Sequence, residues 1–227
     1  ERVAKQPINP HYNHYLFECY AVFIRSCCLN SGNPMEVISN ACDQFESMLF
    51  PPFQVVLNDS VEEFTPYVFQ LLAQLLSYRP GSGVSEPYKI LFPPILSPTL
   101  WERKGNVPAL TDLLCTYLRR GSEFVVATKS LEGVLGVFQK LLSSRSTDMY
   151  ASMVIDAIFT NFGYPEIAQY MPTIFNLLLR SLQETMKSTR AGAATKVSAV
   201  RRLFHTLSVY SSIYGGNLLV DEGLEKI

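Results

Sequence analysis

The sequence predicts an all-α fold of stacked antiparallel helix pairs, and three observations carry that reading. The tetrapeptide Leu-Phe-Pro-Pro occurs at Leu49–Pro52 and again at Leu91–Pro94, a shift of 42 residues. The same shift lays Pro66, Val68, Leu71, Leu72, Leu75 and Leu76 on Pro108, Leu110, Leu113, Leu114, Tyr117 and Leu118. Apolar residues recur at helical spacing almost everywhere, and no segment alternates for long like a half-buried strand. Two segments repeating in one register define a duplicated unit, and a period of about 40–47 residues is that of HEAT and armadillo helix pairs. The expected architecture is an α-solenoid of HEAT-type pairs, about ten helices wound into a superhelix. Such arrays present extended surfaces to other macromolecules, which favours an adaptor over an enzyme.

The elements follow in order. Leu16, Tyr20, Phe23, Ile24 and Cys27 share one face of a helix expected over about 13–29. Ser31-Gly32-Asn33-Pro34 stops it, with Asn33 expected as the next N-cap and Pro34 in the first turn. That second helix should reach about Leu57 and bend at Pro51-Pro52, because each proline removes an amide donor and crowds the preceding turn. Asn58-Asp59-Ser60 reads as a turn, and Ser60 three residues before Glu63 as a capping box. A helix carrying Val68, Leu71, Leu72, Leu75 and Leu76 should stop near Tyr78, before Arg79-Pro80-Gly81-Ser82-Gly83. The next unit starts near Glu86 and breaks at Pro98. Residues 101–106 form its loop, and the partner helix runs from Val107 to Arg120. A third unit pairs a stripe of Leu131, Leu135, Phe138 and Leu142 with one of Ala151, Val154, Ile155, Ile158 and Phe159. A fourth pairs the segment from Tyr170 with a helix bearing Val197, Val200, Leu203, Phe204 and Leu207, ended by Gly215-Gly216. The expected organisation is one array over 1–227, with a truncated repeat's second helix at 11–31, units at 34–79, 86–120, 123–162 and 165–215, and a further start at 217–227. Neither end reads as a polar cap, so a longer array is expected.

Composition excludes several classes. Apolar residues make up 48% and charged residues 17%, against about 25% charged in an average domain, which suits helices buried on most sides. A net charge of −1 argues against general nucleic-acid binding, since phosphates demand an excess of Lys and Arg. The five cysteines form no CxxC pair and no secretory signal precedes them, so they read as reduced thiols of an intracellular protein. The longest uncharged run, Leu203–Val220, holds too many polar residues for a lipid span.

Charge is placed unevenly. Between Ser26 and Tyr78 there is no Lys or Arg, while Glu36, Asp43, Glu46, Asp59, Glu62 and Glu63 are acidic. Between Thr185 and Val220 there is no Asp or Glu, while Lys187, Arg190, Lys196, Arg201 and Arg202 are basic. Opposite local fields steer charged partners to different parts of a surface. Trp101 beside Glu102, Arg103 and Lys104 adds an aromatic of the kind that anchors interfaces, with packing under its own loop as the alternative. The partner-binding candidates are therefore Glu62, Glu63, Trp101, Glu102, Arg103, Lys104, Lys187, Arg190, Lys196, Arg201 and Arg202. No catalytic, cofactor or metal site is legible. His11, His14 and Glu18 lack the supporting cluster that zinc requires. Nothing local marks Cys115 and His205 as a nucleophile and base. Gly81-Ser82-Gly83 follows a helix and lacks the Lys-Ser/Thr of a phosphate loop.

Four motifs carry a resemblance: Asn13-His-Tyr-Leu-Phe-Glu18, Glu63-Phe-Thr-Pro-Tyr-Val-Phe-Gln70, Leu100-Trp-Glu-Arg-Lys-Gly-Asn-Val-Pro-Ala-Leu110 and Gly133-Val-Leu-Gly-Val-Phe-Gln-Lys140. In this order and spacing the chain resembles the importin-β superfamily, and within it the exportins that return importin-α to the cytoplasm. The likeness covers roughly Asn9 to Arg180. It weakens after Lys187, where Ala191-Gly-Ala-Ala194 departs from the family's pattern, and Pro51-Pro52 departs from it too. The resemblance implies a segment from the C-terminal half of a non-enzymatic transport receptor. It further implies importin-α and Ran in its GTP form as partners, no cofactor, shuttling between nucleus and cytoplasm, and an inner surface lined by second helices. A HEAT scaffold unrelated to Ran is the competing expectation.

Overall fold

The structure, a computed structural model, describes residues 9–29 and 34–218. Among these it contains nine helices of ten residues or more, and no strand. The chain divides into two compact units, Glu1–Phe124 and Val125–Ile227. None of the described helices is long and apolar enough to cross a membrane.

In the first unit, α1 spans Pro10–Cys28 and starts on a built cap. The Asn9 side chain accepts from the Tyr12 amide at 3.1 Å, and Pro10 fills the first helical position, where a missing N–H costs nothing. α2 runs over Met35–Asn58 with Pro51 and Pro52 inside it. The expected cap at Asn33 lies outside the described residues, and Pro34 itself stands at the N-cap. α3 covers Thr65–Tyr78, α4 Glu86–Ile95 and α5 Val107–Arg120. A single 3₁₀ turn at Pro98–Trp101 bridges α4 and α5. The repeat is visible in three dimensions: Pro66 and Pro108 are each the second residue of a helix, and α3 and α5 pack along each other. Val68, Leu71, Leu72, Leu75 and Leu76 on one, and Leu110, Leu113, Leu114, Tyr117 and Leu118 on the other, are all buried.

The expected capping box at Ser60 and Glu63 does not form. Helix α2 instead ends in a Schellman turn, in which the Ser60 amide donates to the Leu57 carbonyl and the Val61 amide to Val56. This geometry needs a left-handed residue at the turn, and Ser60 supplies it with φ 52°. Helix α3 then begins five residues later, too far for Ser60 to cap it.

A short helix, α6 (Ser122–Ala127), straddles the division between the units. In the second unit α7 (Leu131–Leu142) pairs with α8 (Asp148–Asn161), and α10 (Met171–Lys187) with α11 (Ala193–Tyr214), with the single turn α9 at Tyr164–Ile167 between them. Helix α11 also packs along α8, repeating the second-helix stacking of α3 on α5. The buried stripe of α7 is rotated from the expected one. Val134, Val137 and Leu141 are buried while Leu135 and Leu142 are half-exposed. Leu131 and Phe138 of the expected stripe are buried with them, so the two stripes overlap, as neighbouring positions about 100° apart on one helix allow. Gly215, at φ 94°, caps α11 through a 3.0 Å bond from its amide to the Ser211 carbonyl. The expected start of a further unit at 217–227 lies almost wholly outside the described residues.

Candidate partner-binding surfaces

The loop between α2 and α3 and the loop between α4 and α5, both in the first unit, are brought side by side by the packing of α3 along α5. Arg103 in the second loop bonds to Glu62 in the first, with a 2.7 Å separation. Glu63, Glu102 and Lys104 are exposed in the same two loops. The candidates from consecutive repeats therefore form one mixed-charge edge, not the uniformly acidic face the sequence suggests.

Trp101 leaves that edge. It is buried at 4% exposure, and its indole N–H donates to the Ile95 carbonyl at 2.8 Å. The ring packs under its own loop, the alternative reading of this residue, with its only donor satisfied inside the chain. The 3₁₀ turn is the cause, since it folds the ring back over the end of α4.

The acidic stretch is also less bare than its sequence implies. Arg79, immediately after α3, reaches back to α2 and binds both Asp43 and Glu46. Its Nε donates to Glu46 Oε1 at 3.1 Å, and Ser85 Oγ donates to Glu46 Oε2 at 2.8 Å. Glu46 is buried at 5% exposure, a position a carboxylate holds only when paired and hydrogen-bonded. Burial pulls the Arg79 guanidinium down, but its bonds to Asp43 and Glu46 more than offset this and hold it above its usual range. This cluster locks α2, α3 and the start of α4 together. Asp43 and Glu46 therefore belong to structure, and sequence reading missed their base because Arg79 lies 33 positions away from Glu46.

On the second unit Lys187, Arg190 and Arg201 are exposed and Lys196 is half-exposed. Lys187 ends α10, Arg190 sits in the connection, and Lys196 and Arg201 lie on α11. Arg202 departs from the expected uncompensated patch. It pairs with Asp148 on α8 and donates to Ser198 Oγ at 2.8 Å. Burial pushes the Asp148 carboxyl up, against the lowering effect of Arg202. About two turns further along α8, Asp156 accepts from Thr206 Oγ1 at 3.1 Å and faces His205 Nε2 at 3.3 Å. Burial raises Asp156 too, with Thr206 and His205 opposing. Both acids thus lie outside the basic stretch in sequence but against it in space.

A groove that the sequence did not announce opens in the first unit between α2 and α4, with Phe69 and Leu72 of α3 in its lining. It encloses about 660 Å³ and is walled by Phe50, Phe53, Leu57, Ile90, Leu91 and Pro94. Both Leu-Phe-Pro-Pro copies contribute to it, and the prolines weaken the ladder of each helix where it borders the space. The helix-period pattern could not show the groove, because the same residues read as ordinary core. Among the described residues no group of three or more His, Cys, Asp or Glu could hold a metal ion.

Comparison with known proteins gives this geometry its context. Exportin-2 of Drosophila melanogaster is 40% identical over 189 residues, covering 82% of this chain and 19% of its own length. Exportin-2 of Danio rerio is 39% identical over 215 residues, covering 94% and 20%. A Schizosaccharomyces pombe protein named importin-alpha re-exporter is 42% identical over 185 residues, covering 82% and 18%. The chain thus spans about a fifth of the length of these relatives. A solved structure, the exportin Cse1 in its cargo-free, cytoplasmic state, superposes with a TM-score of 0.81 at 27% identity, over 99% of this chain and 22% of that one. The helix pairs seen here are those of an exportin solenoid. Residues 1–221 match the family described as CAS/CSE protein, C-terminus, and the chain belongs to that family.

Proposed function

We propose that this chain is a segment of a nuclear export receptor that binds importin-α together with Ran in its GTP form and carries importin-α back to the cytoplasm. The observation that carries the reading is identity near 40% over four-fifths of the chain to proteins named for export, one of them for re-export of importin-α. The receptor is not an enzyme: it works by binding, shuttles between nucleus and cytoplasm, and needs no cofactor. Within the segment, the mixed-charge edge of Glu62, Glu63, Glu102, Arg103 and Lys104 is one partner surface. The basic set Lys187, Arg190, Lys196 and Arg201 is the other. Exposed charges of this kind set association rate and partner choice, and their effect falls as salt rises.

The test is capture of importin-α by the full-length receptor that contains this segment, with and without Ran locked in its GTP state. Capture that depends on Ran-GTP is expected, and it should weaken at low salt in a Glu63→Lys variant and in an Arg190→Glu/Arg201→Glu variant, with thermal unfolding unchanged. Arg202 is left intact because a reversal there would face Asp148. Importin-α capture that ignores Ran-GTP would overturn the transport reading. Wild-type capture by both variants would leave that reading standing and remove the two surfaces.

A further inference from the structure

We propose that Cys28 and Cys42 are a reversible disulfide site that ties α1 to α2. The two sulfurs lie 3.8 Å apart in the seam between these helices, so closing to the roughly 2.05 Å of an S–S bond needs a shift of under ~2 Å. Both side chains are buried, at 1% and 0% exposure. The surroundings hold them face to face. Ile24, one turn before Cys28, is fully buried, and Phe23 meets Phe45, one turn after Cys42, edge-on at 5.6 Å. Cys28 is the last residue of α1, where a helix end yields more readily than its middle. Cys27 is adjacent and half-exposed, but neighbouring helix positions point about 100° apart, so the pair across the seam is favoured over the vicinal one.

The chemistry requires an oxidant, here a low-molecular-weight disulfide. The Cys28 thiolate attacks one sulfur of the oxidant and expels its other half as a thiolate. The Cys42 thiolate then attacks Cys28 Sγ and expels the second half. The two protons given up by the protein thiols end on the two released thiols, so one protein disulfide forms for each oxidant molecule reduced. Burial pushes the Cys28 thiol up, and burial together with Cys28 pushes Cys42 up to about 12. The folded pair is thus scarce in thiolate, and the reaction waits on transient opening at the end of α1. The site resists brief oxidation and records a sustained change of redox poise.

The experiment equilibrates the full chain with oxidised and reduced glutathione over a range of ratios, blocks free thiols by alkylation, and maps linked peptides by mass spectrometry. At an oxidising ratio, three of the five cysteines should remain alkylatable, with Cys28 joined to Cys42. The thermal transition should rise and return on reduction. Cys28→Ser and Cys42→Ser should each abolish the link, and Cys19→Ser and Cys115→Ser should keep it. Should a serine variant fail to fold, Cys28→Ala removes the same thiol, and the wild-type map decides alone. Five alkylatable thiols at a ratio that oxidises the denatured chain, or a link through Cys19 or Cys27, would overturn the proposal.

Discussion

Replacing Arg79 by Met isolates the contribution of the buried ion cluster. The variant keeps most of the side chain's volume and removes every donor Arg79 offers to Glu46. Glu46 would be left 5% exposed with Ser85 Oγ, at 2.8 Å, as the remaining contact among those described. Breaking a buried pair from one side typically costs about 3–5 kcal/mol, because the abandoned charge keeps its desolvation penalty. Asp43 adds little, being 59% exposed, since a pair open to water contributes at most about 1 kcal/mol. The expected loss is therefore about 3–5 kcal/mol in urea unfolding, or roughly 10 °C in the melting transition. One control sharpens the test. Arg79→Met combined with Glu46→Leu should recover most of the loss, because an apolar pair of similar volume is often neutral. A cost under about 1 kcal/mol would refute the claim that this cluster holds the first unit together.

Further outcomes are expected elsewhere. Leu72→Ala and Leu114→Ala, at equivalent buried sites of successive repeats, should each cost about 2–5 kcal/mol; unchanged thermal stability in both would break the repeat register. Trp101→Phe removes the donor from the Ile95 carbonyl and should cost about 1–3 kcal/mol without changing importin-α capture; a loss of capture at full stability would return Trp101 to the interface. Asp156 is raised above 3.8 by burial, so as pH rises through 3.8 the unfolded chain gives up its proton first, and stability falls until the folded value is passed. Asp156→Asn, which keeps an acceptor for Thr206, should flatten that fall and leave stability at pH 7 equal or slightly higher. A drop of more than about 1 kcal/mol there would show that the charge itself is needed.

The repeat was legible in sequence because its signal is local and periodic. Pro66 and Pro108 fix the start of two helices, and the leucines that follow have one burial solution. The helix over Val107–Arg120 and the stop at Gly215 were legible for the same reason, each resting on a single strong backbone preference. What the sequence hid was long-range or conformational. Arg79 carries no mark of its partners, which come from a different helix. Ser60 with Glu63 fits a capping pattern, but the left-handed turn ending α2 had already used Ser60. Trp101 among three charges has the composition of an anchor, and only the turn direction decides that its ring points inward. Arg202 looked unpaired because Asp148 is 54 positions away.

The two second-helix seams also differ in kind. Leucine faces meet between α3 and α5, with the Arg120 guanidinium donating to the Leu76 and Ser77 carbonyls at one end, at 3.5 and 3.3 Å. Between α8 and α11 the seam carries Asp148 with Arg202, Asp156 with Thr206, and the Tyr214 hydroxyl within 2.6 and 2.7 Å of the Phe159 and Phe162 carbonyls. Dispersion contacts weaken gradually as surfaces slide, whereas directional bonds fail over a few tenths of an ångström. The first seam is accordingly a greased bearing, able to take up shear in small increments. The second is a toothed rack that holds one register until it slips.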